Sequence, residues 1–387
     1  MKLGVSVYPE QETIEEIENY LKLANNYGFT RVFTSLFSVQ DDKSKIISYF
    51  KKLSEIAHNN HMEVIGDCNS KFMQKMEATP SDLSVFEEMG FDVLRMDGVF
   101  GDYRDLEMIE NKYGIKIELN ASEMQAVEGI LEAGGNPKKI MASYNFYPLR
   151  NTGASPEDVI KVNNFFEKKG IEVEIFISSA VENAHGPWPL RDGLPTIEMH
   201  RDIPPSLQLK HLLAMGGISS VIFGNGHASK EEFEDIQKVI KESYVTVTDK
   251  EGIFKGNTHF VPEGDILRIP LTIIVNENIS KDEMDILFSY DKHNVAEYNH
   301  TIFRSRWSRC VFTNSDIASI KANKEYYSPG DIIIINNIIP RYMGELHIVR
   351  KAIKAEPYHN YVGHIIDEEM FLLEYLDPGK CFSFVRK

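Results

Sequence analysis

The amino-acid sequence predicts an α/β fold, a TIM (β/α)8 barrel followed by a smaller, mostly β domain. Up to about residue 240, short apolar segments with strand character alternate with amphipathic helical patterns, and eight such strands can be counted. From about Tyr244 the helical periodicity fades, and β-rich runs separated by glycine and proline replace it. Eight strands that each lead into a helix are the number that a closed parallel barrel requires. We therefore expect a barrel domain over residues 1–243 and a β domain over residues 244–387.

The expected barrel elements follow one another in regular order. The predicted strands are residues 3–7, 31–35, 63–67, 93–96, 116–120, 140–144, 172–177 and 219–223. The predicted helices are residues 13–26, 43–59, 123–132, 156–168, 207–215 and 230–243. Ser122 with Gln125 and Ser229 with Glu232 fit the spacing of capping boxes. An open doubly wound sheet is the alternative, but no strand leads into the glycine-rich phosphate-binding pattern of that fold.

The expected β domain contains six β-rich runs. They cover residues 266–275, 301–303, 331–335, 345–349, 361–365 and 381–385. Gly264, Pro329-Gly330, Pro340 and Pro378-Gly379 punctuate them, which is typical of a small barrel or sandwich.

Composition narrows the classes of partner and compartment. The net charge of −16 argues against nucleic acid or an anionic membrane, because both require a basic surface. The three cysteines, Cys68, Cys310 and Cys381, are far apart, so neither a disulfide framework nor a cysteine zinc site is expected. The first residues resemble a strand rather than a signal peptide, and no apolar run is long enough to span a bilayer. A cytoplasmic protein is the simplest interpretation.

Polar residues cluster where the predicted barrel strands end. Because reacting groups of such barrels lie at the carboxyl ends of strands, these residues are candidates for a site. They are Tyr8, Glu10, Ser35, Asp67, Asp97, Asn120 and Asn145. Three of them, Glu10, Asp67 and Asp97, are carboxylic acids, and a pair with separated pKa values is what glycosidic bond cleavage requires. Each acid, taken alone, could equally be an ion-pair partner or a helix cap.

Two connections on the predicted barrel are unusually rich in functional groups. After the sixth strand, Asn145, Tyr147 and Arg150 precede a helix start at Ser155-Pro156, although an ordinary ordered loop is the alternative. The longest connection, residues 178–205, contains several prolines, a tryptophan and Glu198. A segment of this length in a compact domain is usually functional, so we expect an ordered lid.

The second domain contains a concentration of positive charge. Arg304, Ser305 and Arg309 lie in one predicted strand, whose arginines suit a phosphate or a carboxylate. A basic strand edge that prevents aggregation is the alternative interpretation. A rival anion site is Gly224-Asn225-Gly226, which leads to the Ser229 cap where barrels often bind phosphate.

The histidines show no pattern of metal ligation. Residues His185, His200, His211 and His227 have neither H-E-x-x-H nor H-x-H spacing, and each is interpreted as a capping, core or substrate-contact residue. We therefore expect no metal and no cofactor.

Several motifs, taken together, identify a resemblance. They are Ser6-x-Tyr8-Pro9-Glu10, Phe33-Thr34-Ser35-Leu36, Leu94-Arg95-Met96-Asp97-Gly98, Asn145-Phe146-Tyr147-Pro148, Gly193-Leu194-Pro195-Thr196, Arg304-Ser305 and Arg341-Tyr342-Met343-Gly344-Glu345-Leu346. In this order, over nearly the full length, the chain resembles the bacterial 6-phospho-N-acetylmuramidases. The resemblance implies a barrel followed by a cyclophilin-like β domain that completes the substrate site.

The resemblance also implies a function. The expected enzyme is a cytoplasmic glycosidase that separates N-acetylmuramic acid 6-phosphate from N-acetylglucosamine in a cell-wall disaccharide. Catalysis is expected from Asp97, Glu10 and Asp67. Substrate binding is expected from Tyr8, Ser35, Asn120, Asn145, Tyr147, Arg150, Glu198, Arg304, Ser305, Arg309, Tyr342 and Glu345. The partner is then a phosphorylated amino-sugar disaccharide, and a homodimer is a possible assembly. A sugar-phosphate isomerase, epimerase or aldolase and a non-catalytic sensor of such sugars are the alternatives.

Overall fold

The protein consists of two compact units. The computed structural model describes residues 1–36, 39, 41–247, 264–320 and 324–387. The first unit comprises Met1–Gln237 and the second Lys238–Lys387.

The first unit is built on a closed barrel of eight parallel strands, which confirms the predicted fold class. The strands are β1 (Lys2–Val7), β2 (Arg31–Ser35), β3 (Glu63–Cys68), β4 (Val93–Met96), β5 (Lys116–Asn120), β6 (Ile140–Ser143), β7 (Glu172–Ile177) and β8 (Ser220–Phe223). Each strand pairs with the next in sequence, and pairing of β8 with β1 closes the barrel. The carboxyl ends of all eight strands therefore lie at one rim.

Nine helices surround this sheet in the described part of the unit. They are α1 (Ile14–Asn26), α2 (Lys43–Asn59), α3 (Ser70–Lys75), α4 (Ser84–Glu88), α5 (Tyr103–Ile109), α6 (Met124–Glu132), α7 (Pro156–Glu167), α8 (Pro205–Met215) and α9 (Lys230–Ser243). Short 3₁₀ helices cover Pro137–Lys139 and Glu198–His200. The sequence did not predict α3, α4 and α5, because five to seven residues are too few for a clear helical period.

Local capping chemistry explains most of the helix starts. Ser229 and Glu232 form the expected capping box, with each side chain bonded to the other's backbone N–H. The capping box expected at Ser122 is wrong, because α6 begins only at Met124. The N–H and hydroxyl of Ser122 both donate instead to Oδ1 of Asn120, at 3.0 and 2.9 Å.

The barrel interior combines an apolar cluster with buried charge. The apolar cluster consists of Phe33, Ile65, Val93, Met141, Phe176 and Ile222. Arg31 in β2 is fully buried, and its Nε lies 2.9 Å from Glu174 Oε2 in β7. These two strands are not neighbours, so this ion pair crosses the interior. Burial and the charge of Glu174 raise the pKa of Glu118 well above its ordinary value.

The second unit contains a mostly antiparallel sheet. Its strands are β9 (Tyr244–Val247), β10 (Gly264–Val275), β11 (Ile302–Ser305), β12 (Tyr326–Tyr327), β13 (Asp331–Ile335), β14 (Leu346–Val349), β15 (Ile353–Lys354), β16 (His359–Ile365) and β17 (Cys381–Arg386). Its helices are α10 (Lys281–Phe288), α11 (Ser308–Val311) and a 3₁₀ helix over Asp367–Tyr375. The main sheet has the order β11-β14-β13-β16-β10-β17, while β9 also pairs with β10. Only the β10–β17 pair of this sheet is parallel in the described residues.

No helix within the described ranges has both the length and the apolar character that crossing a bilayer demands.

Candidate active site

A chain of three polar side chains links the carboxyl ends of β3, β4 and β6. Nη1 of Arg95 donates to Oδ1 of Asp67 at 2.6 Å, and its Nη2 donates to Oδ1 of Asn145 at 2.5 Å. Arg95 is 4% exposed and Asp67 is 7% exposed, so water screens their attraction little. The guanidinium therefore fixes the position of both an acid and an amide at this rim.

The three candidate acids have different environments. Burial raises the pKa of Asp67, the Arg95 guanidinium opposes this effect, and the charge of Asp97 raises the pKa further. Asp97 and Glu10 are exposed, so Asp67 is the one buried acid of the three. The backbone N–H of Asp97 donates to Cys68 O at 2.9 Å, which keeps Asp97 next to the end of β3. A buried acid thus lies near an exposed one, as the separation of roles between two carboxyls requires.

The other strand-end candidates are largely occupied by contacts within the protein. Tyr8 is fully buried, and its hydroxyl donates to Gly224 O, so burial raises its pKa above the ordinary range. Ser35 ends β2 opposite Asp67 in the register of the sheet and is 4% exposed. Asn120 is 8% exposed, and its Oδ1 accepts the two bonds from Ser122. Tyr8 and Asn120 therefore support the rim from within.

The long connection after β7 is ordered and bonded to the connection after β6. Thr196 Oγ1 donates to Asn145 O at 2.9 Å, and the Tyr147 N–H donates to Pro195 O at 3.0 Å. Arg201 is 8% exposed, and its Nη1 donates to the Tyr147 carbonyl at 3.0 Å. Because these bonds tie the two connections together, the segment is anchored over this part of the rim, and the Tyr147 side chain stays partly exposed.

Two residues expected to bind the sugar form ion pairs within the protein. Arg150 is exposed and forms ion pairs with Asp192 and Asp202, at 3.1 and 2.9 Å. The Glu198 carboxylate accepts from the N–H groups of Asn151 and Gly153 and pairs with Arg201. Its hydrogen bonds with Arg201 are the main cause of its low pKa of about 2. Both side chains therefore stabilise the connections after β6 and β7.

A cluster absent from the sequence-based expectations lies near the ends of β1 and β8. Glu12 contacts His185 and His227, with Oε1 2.7 Å from His185 Nε2 and Oε2 3.4 Å from His227 Nε2. Burial acts to raise the pKa of Glu12, but the two histidines outweigh it and the pKa is lowered. The hydrogen bond to Glu12 raises the pKa of His185. The sequence spacing of these two histidines did not reveal their shared contact with Glu12.

The other two histidines form a buried pair away from this cluster. Nε2 of His200 lies 2.8 Å from Nδ1 of His211, and both residues are inaccessible to solvent. Burial and the neighbouring imidazole hold the pKa of His200 well below its ordinary value. The pair thus acts as a neutral, hydrogen-bonded part of the core.

Several backbone N–H groups of the glycine-rich loop after β8 are bonded within the protein. The Gly224 N–H donates to Ile177 O at 2.8 Å, and the Gly226 N–H donates to His185 O at 2.7 Å. The Ser229 N–H is satisfied by the Glu232 carboxylate at 3.0 Å. These three N–H groups are therefore already used within the protein, and the anion site at this loop stays a prediction.

In the second unit, the expected anion-binding residues line a cavity of about 310 Å³. Its walls include Arg304, Tyr342, Glu345 and His347. Arg304 lies in the edge strand β11 and forms ion pairs with Glu297 and Glu345, the second at 2.6 Å. Glu345 is 1% exposed, which makes it a buried counter-ion for this arginine. The positive charge is thus partly neutralised rather than free.

Two other residues expected to bind an anion, Arg309 and Ser305, occupy positions that the strand pattern did not predict. Arg309 lies in the short helix α11, since β11 ends at Ser305. Its guanidinium lies 3.4 Å from Glu345 Oε2 and 4.9 Å from the centre of the Tyr342 ring. Ser305 is buried, with its Oγ 2.8 Å from His293 Nδ1. Arg309 and Tyr342 can therefore reach a ligand, whereas Ser305 belongs to the core.

The fold and this set of residues define a class: a (β/α)8-barrel protein with acids and their partners at the carboxyl rim, followed by a mostly antiparallel β unit. The chain belongs to the 6-phospho-N-acetylmuramidase family, because the family's N-terminal model matches residues 3–238 and its C-terminal model matches residues 269–385. The family name points to a muramidase, and hence to a glycosidase.

Two solved structures are similar to the whole chain. An uncharacterized protein from B. cereus is 32% identical, with 99% of each chain covered and a TM-score of 0.81. A conserved protein of unknown function from Enterococcus faecalis is 21% identical, covers 100% of this chain and 97% of its own, and has a TM-score of 0.64. The second similarity shows the fold alone. No curated protein matches the chain.

Proposed function

We propose that this protein is a cytoplasmic glycosidase that hydrolyses the bond between N-acetylmuramic acid 6-phosphate and N-acetylglucosamine. The observation that carries the proposal is membership of the 6-phospho-N-acetylmuramidase family over both units. The carboxyl rim of the barrel supports it, because a buried acid, Asp67, lies at the end of β3 and an exposed acid, Asp97, directly follows the adjacent strand β4.

In this proposal, Asp67 donates the proton to the leaving sugar. Its buried position favours the neutral form, and the nearby charge of Asp97 adds to that preference. The Arg95 guanidinium opposes this preference, because it favours the ionised carboxylate, while its hydrogen bond to Oδ1 fixes the carboxyl group in place. The donated proton moves to that oxygen as the bond to the sugar breaks, and a proton from water later restores the acid.

Asp97 supplies the second carboxylate. Its exposed position suits a base, a nucleophile, or a group that orients the substrate's own acetamido oxygen. Glu10 is the third acid of the expected set and is equally exposed, so it is the alternative for this role. Ser35 at the end of β2, and Asn145 and Tyr147 after β6, then contact the sugar hydroxyls.

The anionic groups of the substrate match the second unit's cavity. Three arginines, Arg304, Arg306 and Arg309, contact two carboxylates, Glu297 and Glu345, which leaves an excess of one positive charge. A phosphate or lactyl carboxylate would complete this balance, and charge-assisted bonds of that kind contribute about 1.5–3 kcal/mol.

A chromogenic muramyl 6-phosphate tests the assignment. Asp97→Asn removes a charge while keeping the shape, so release of the chromophore should fall by about 10²–10⁴-fold. Asp102→Asn is the matched control, because Asp102 is an exposed acid of the same loop that caps α5, and asparagine caps a helix equally well. Full activity of Asp97→Asn would transfer the role to Glu10, and full activity of Asp97→Asn and Glu10→Gln alike would refute the carboxylate scheme.

A further inference from the structure

Three potential metal ligands converge from distant parts of the barrel chain. Glu12 follows β1, His185 lies in the connection after β7, and His227 follows β8. One ligand atom from each residue lies within 4.8 Å of the other two. Tetrahedral Zn²⁺ with bonds of about 2.0–2.2 Å holds its ligand atoms roughly 3.3–3.5 Å apart, so only small side-chain movements separate this arrangement from a coordination shell.

The carboxylate of this cluster carries an unsatisfied oxygen. The Glu12 side chain is 2% exposed, and its Oε1 accepts from the Tyr8 N–H at 3.2 Å and contacts His185. Its Oε2 lies 3.4 Å from Nε2 of His227, but neither atom makes a well-directed hydrogen bond with the residues that the structure describes. A buried carboxylate oxygen without a donor is costly, and a bound cation would remove that cost.

The backbone around the cluster is shaped to bring these groups together. His227 has a φ of +61°, a conformation that is strained for a histidine, and its ring stacks on Tyr20 with centroids 4.6 Å apart. A Cβ added to Gly226 would lie 3.0 Å from Glu12 Oε1 and 3.5 Å from His185 Nε2. Strain of this kind persists where the surroundings enforce it, and it concentrates at functional sites.

We propose that Glu12, His185 and His227 bind a divalent transition-metal ion, with Zn²⁺ as the best fit. Two imidazole nitrogens and one carboxylate oxygen are a ligand set that holds zinc and leaves a fourth position open. A ligating imidazole nitrogen carries no proton, so any proton on Nε2 of His185 is released to solvent when the ion binds.

The open position lies on the solvent side of the ion. The His227 side chain is 34% exposed and that of His185 is 15% exposed, whereas Glu12 lies beneath them. Water or an oxygen of a bound small molecule can therefore complete the shell. Nδ1 of His185 lies 3.4 Å from Asn183 O, an outer contact of the type that orients a ligating imidazole.

Metal binding to the full-length protein tests the proposal without any activity measurement. The untagged protein is freed of metal with a chelator and then titrated with Zn²⁺ by calorimetry and with Co²⁺ by visible absorption. We expect saturation at one equivalent and the absorption of a tetrahedral Co²⁺ site. Glu12→Gln, His185→Asn and His227→Asn should each weaken binding at least about 10–100-fold, the loss that even outer contacts of a metal site cause.

The variants are chosen so that folding and binding can be separated. Asparagine tolerates a positive φ, so His227→Asn should fold even if Glu12→Gln does not. His58→Asn is the matched control. His58 also pairs with a carboxylate, Asp92 at 2.9 Å, but within the described residues it belongs to no group of three potential metal ligands. No saturable binding by the wild type, or binding that survives in folded His227→Asn, overturns the proposal. Turnover by the chelated protein would leave the glycosidase proposal intact in either case.

Discussion

Replacing Arg95 by methionine tests how the buried acid of the rim is held. The change keeps much of the side-chain volume but leaves Asp67 at 7% exposure without the guanidinium 2.6 Å away. Loss of one partner from a buried ion pair costs about 3–5 kcal/mol, because the other charge stays desolvated. For a unit of this size, about 2–4 °C per kcal/mol gives a fall of roughly 6–20 °C in the Tm of the barrel transition.

The pH dependence of this loss has a definite sign. Burial and Asp97 raise the pKa of Asp67, and removal of Arg95 removes the influence that opposes them. The folded variant then keeps its proton to a higher pH than the unfolded chain, whose Asp has a pKa of about 3.9. The stability of the variant therefore falls as pH rises from the unfolded pKa of Asp67 to its higher folded pKa. Arg95→Met should accordingly be more damaging at neutral pH than in mild acid.

Thermal unfolding followed by calorimetry at pH 5 and pH 7 measures both effects. Arg104→Met is the matched control, because Arg104 pairs with Asp102 at 2.9 Å on the surface, where such a pair contributes about 0–1 kcal/mol. Adding Asp67→Asn to Arg95→Met should restore part of the stability by removing the orphaned charge. A loss no larger than that of Arg104→Met, or a loss independent of pH, would refute this account of the rim.

Further expectations concern catalysis, the barrel interior and the second unit. Asp67→Asn should lower kcat about 10²–10⁴-fold on the phosphorylated disaccharide in protein that unfolds cooperatively, and normal kcat would remove the proposed acid. Glu118→Gln should raise the free energy of unfolding in urea, more at pH 8 than at pH 5, because the raised pKa of Glu118 makes the folded state lose stability as pH increases. An equal effect at both pH values would contradict this. Arg304→Ala should lower kcat/KM about 10–100-fold on the phosphorylated substrate and little on its unphosphorylated form, whereas equal losses would indicate a carboxylate contact or misfolding.

The alternation of strands and helices was sufficient to predict the barrel. Strands such as Arg31–Ser35 and Lys116–Asn120 were placed correctly because apolar runs bounded by helix caps leave little freedom in their limits. The short helix Ser84–Glu88 was missed because five residues are too few to show a helical period. Ser122 was misplaced as a cap because its hydrogen bonds go to Asn120, two residues earlier, instead of to the helix.

The site was predicted less completely, because its partners come from separate strands. The position of Asp67 at a strand end was readable, but its pairing with Arg95 depends on the register between β3 and β4. Glu12 and His227 are 215 positions apart in sequence and meet only when β8 closes on β1. The Arg304 cluster was recognisable as positive charge, yet its neutralisation by Glu345 arises from pairing of β11 with β14.

The hydrolysis of the natural disaccharide is the most direct test of the proposed function. The protein is incubated with N-acetylmuramic acid 6-phosphate joined to N-acetylglucosamine, and with the same disaccharide lacking phosphate, and the products are separated and identified by mass spectrometry. We expect N-acetylglucosamine and N-acetylmuramic acid 6-phosphate from the first substrate and far slower cleavage of the second. Tight binding of the phosphorylated disaccharide without cleavage, or an isomerised sugar with the glycosidic bond intact, would contradict the proposal.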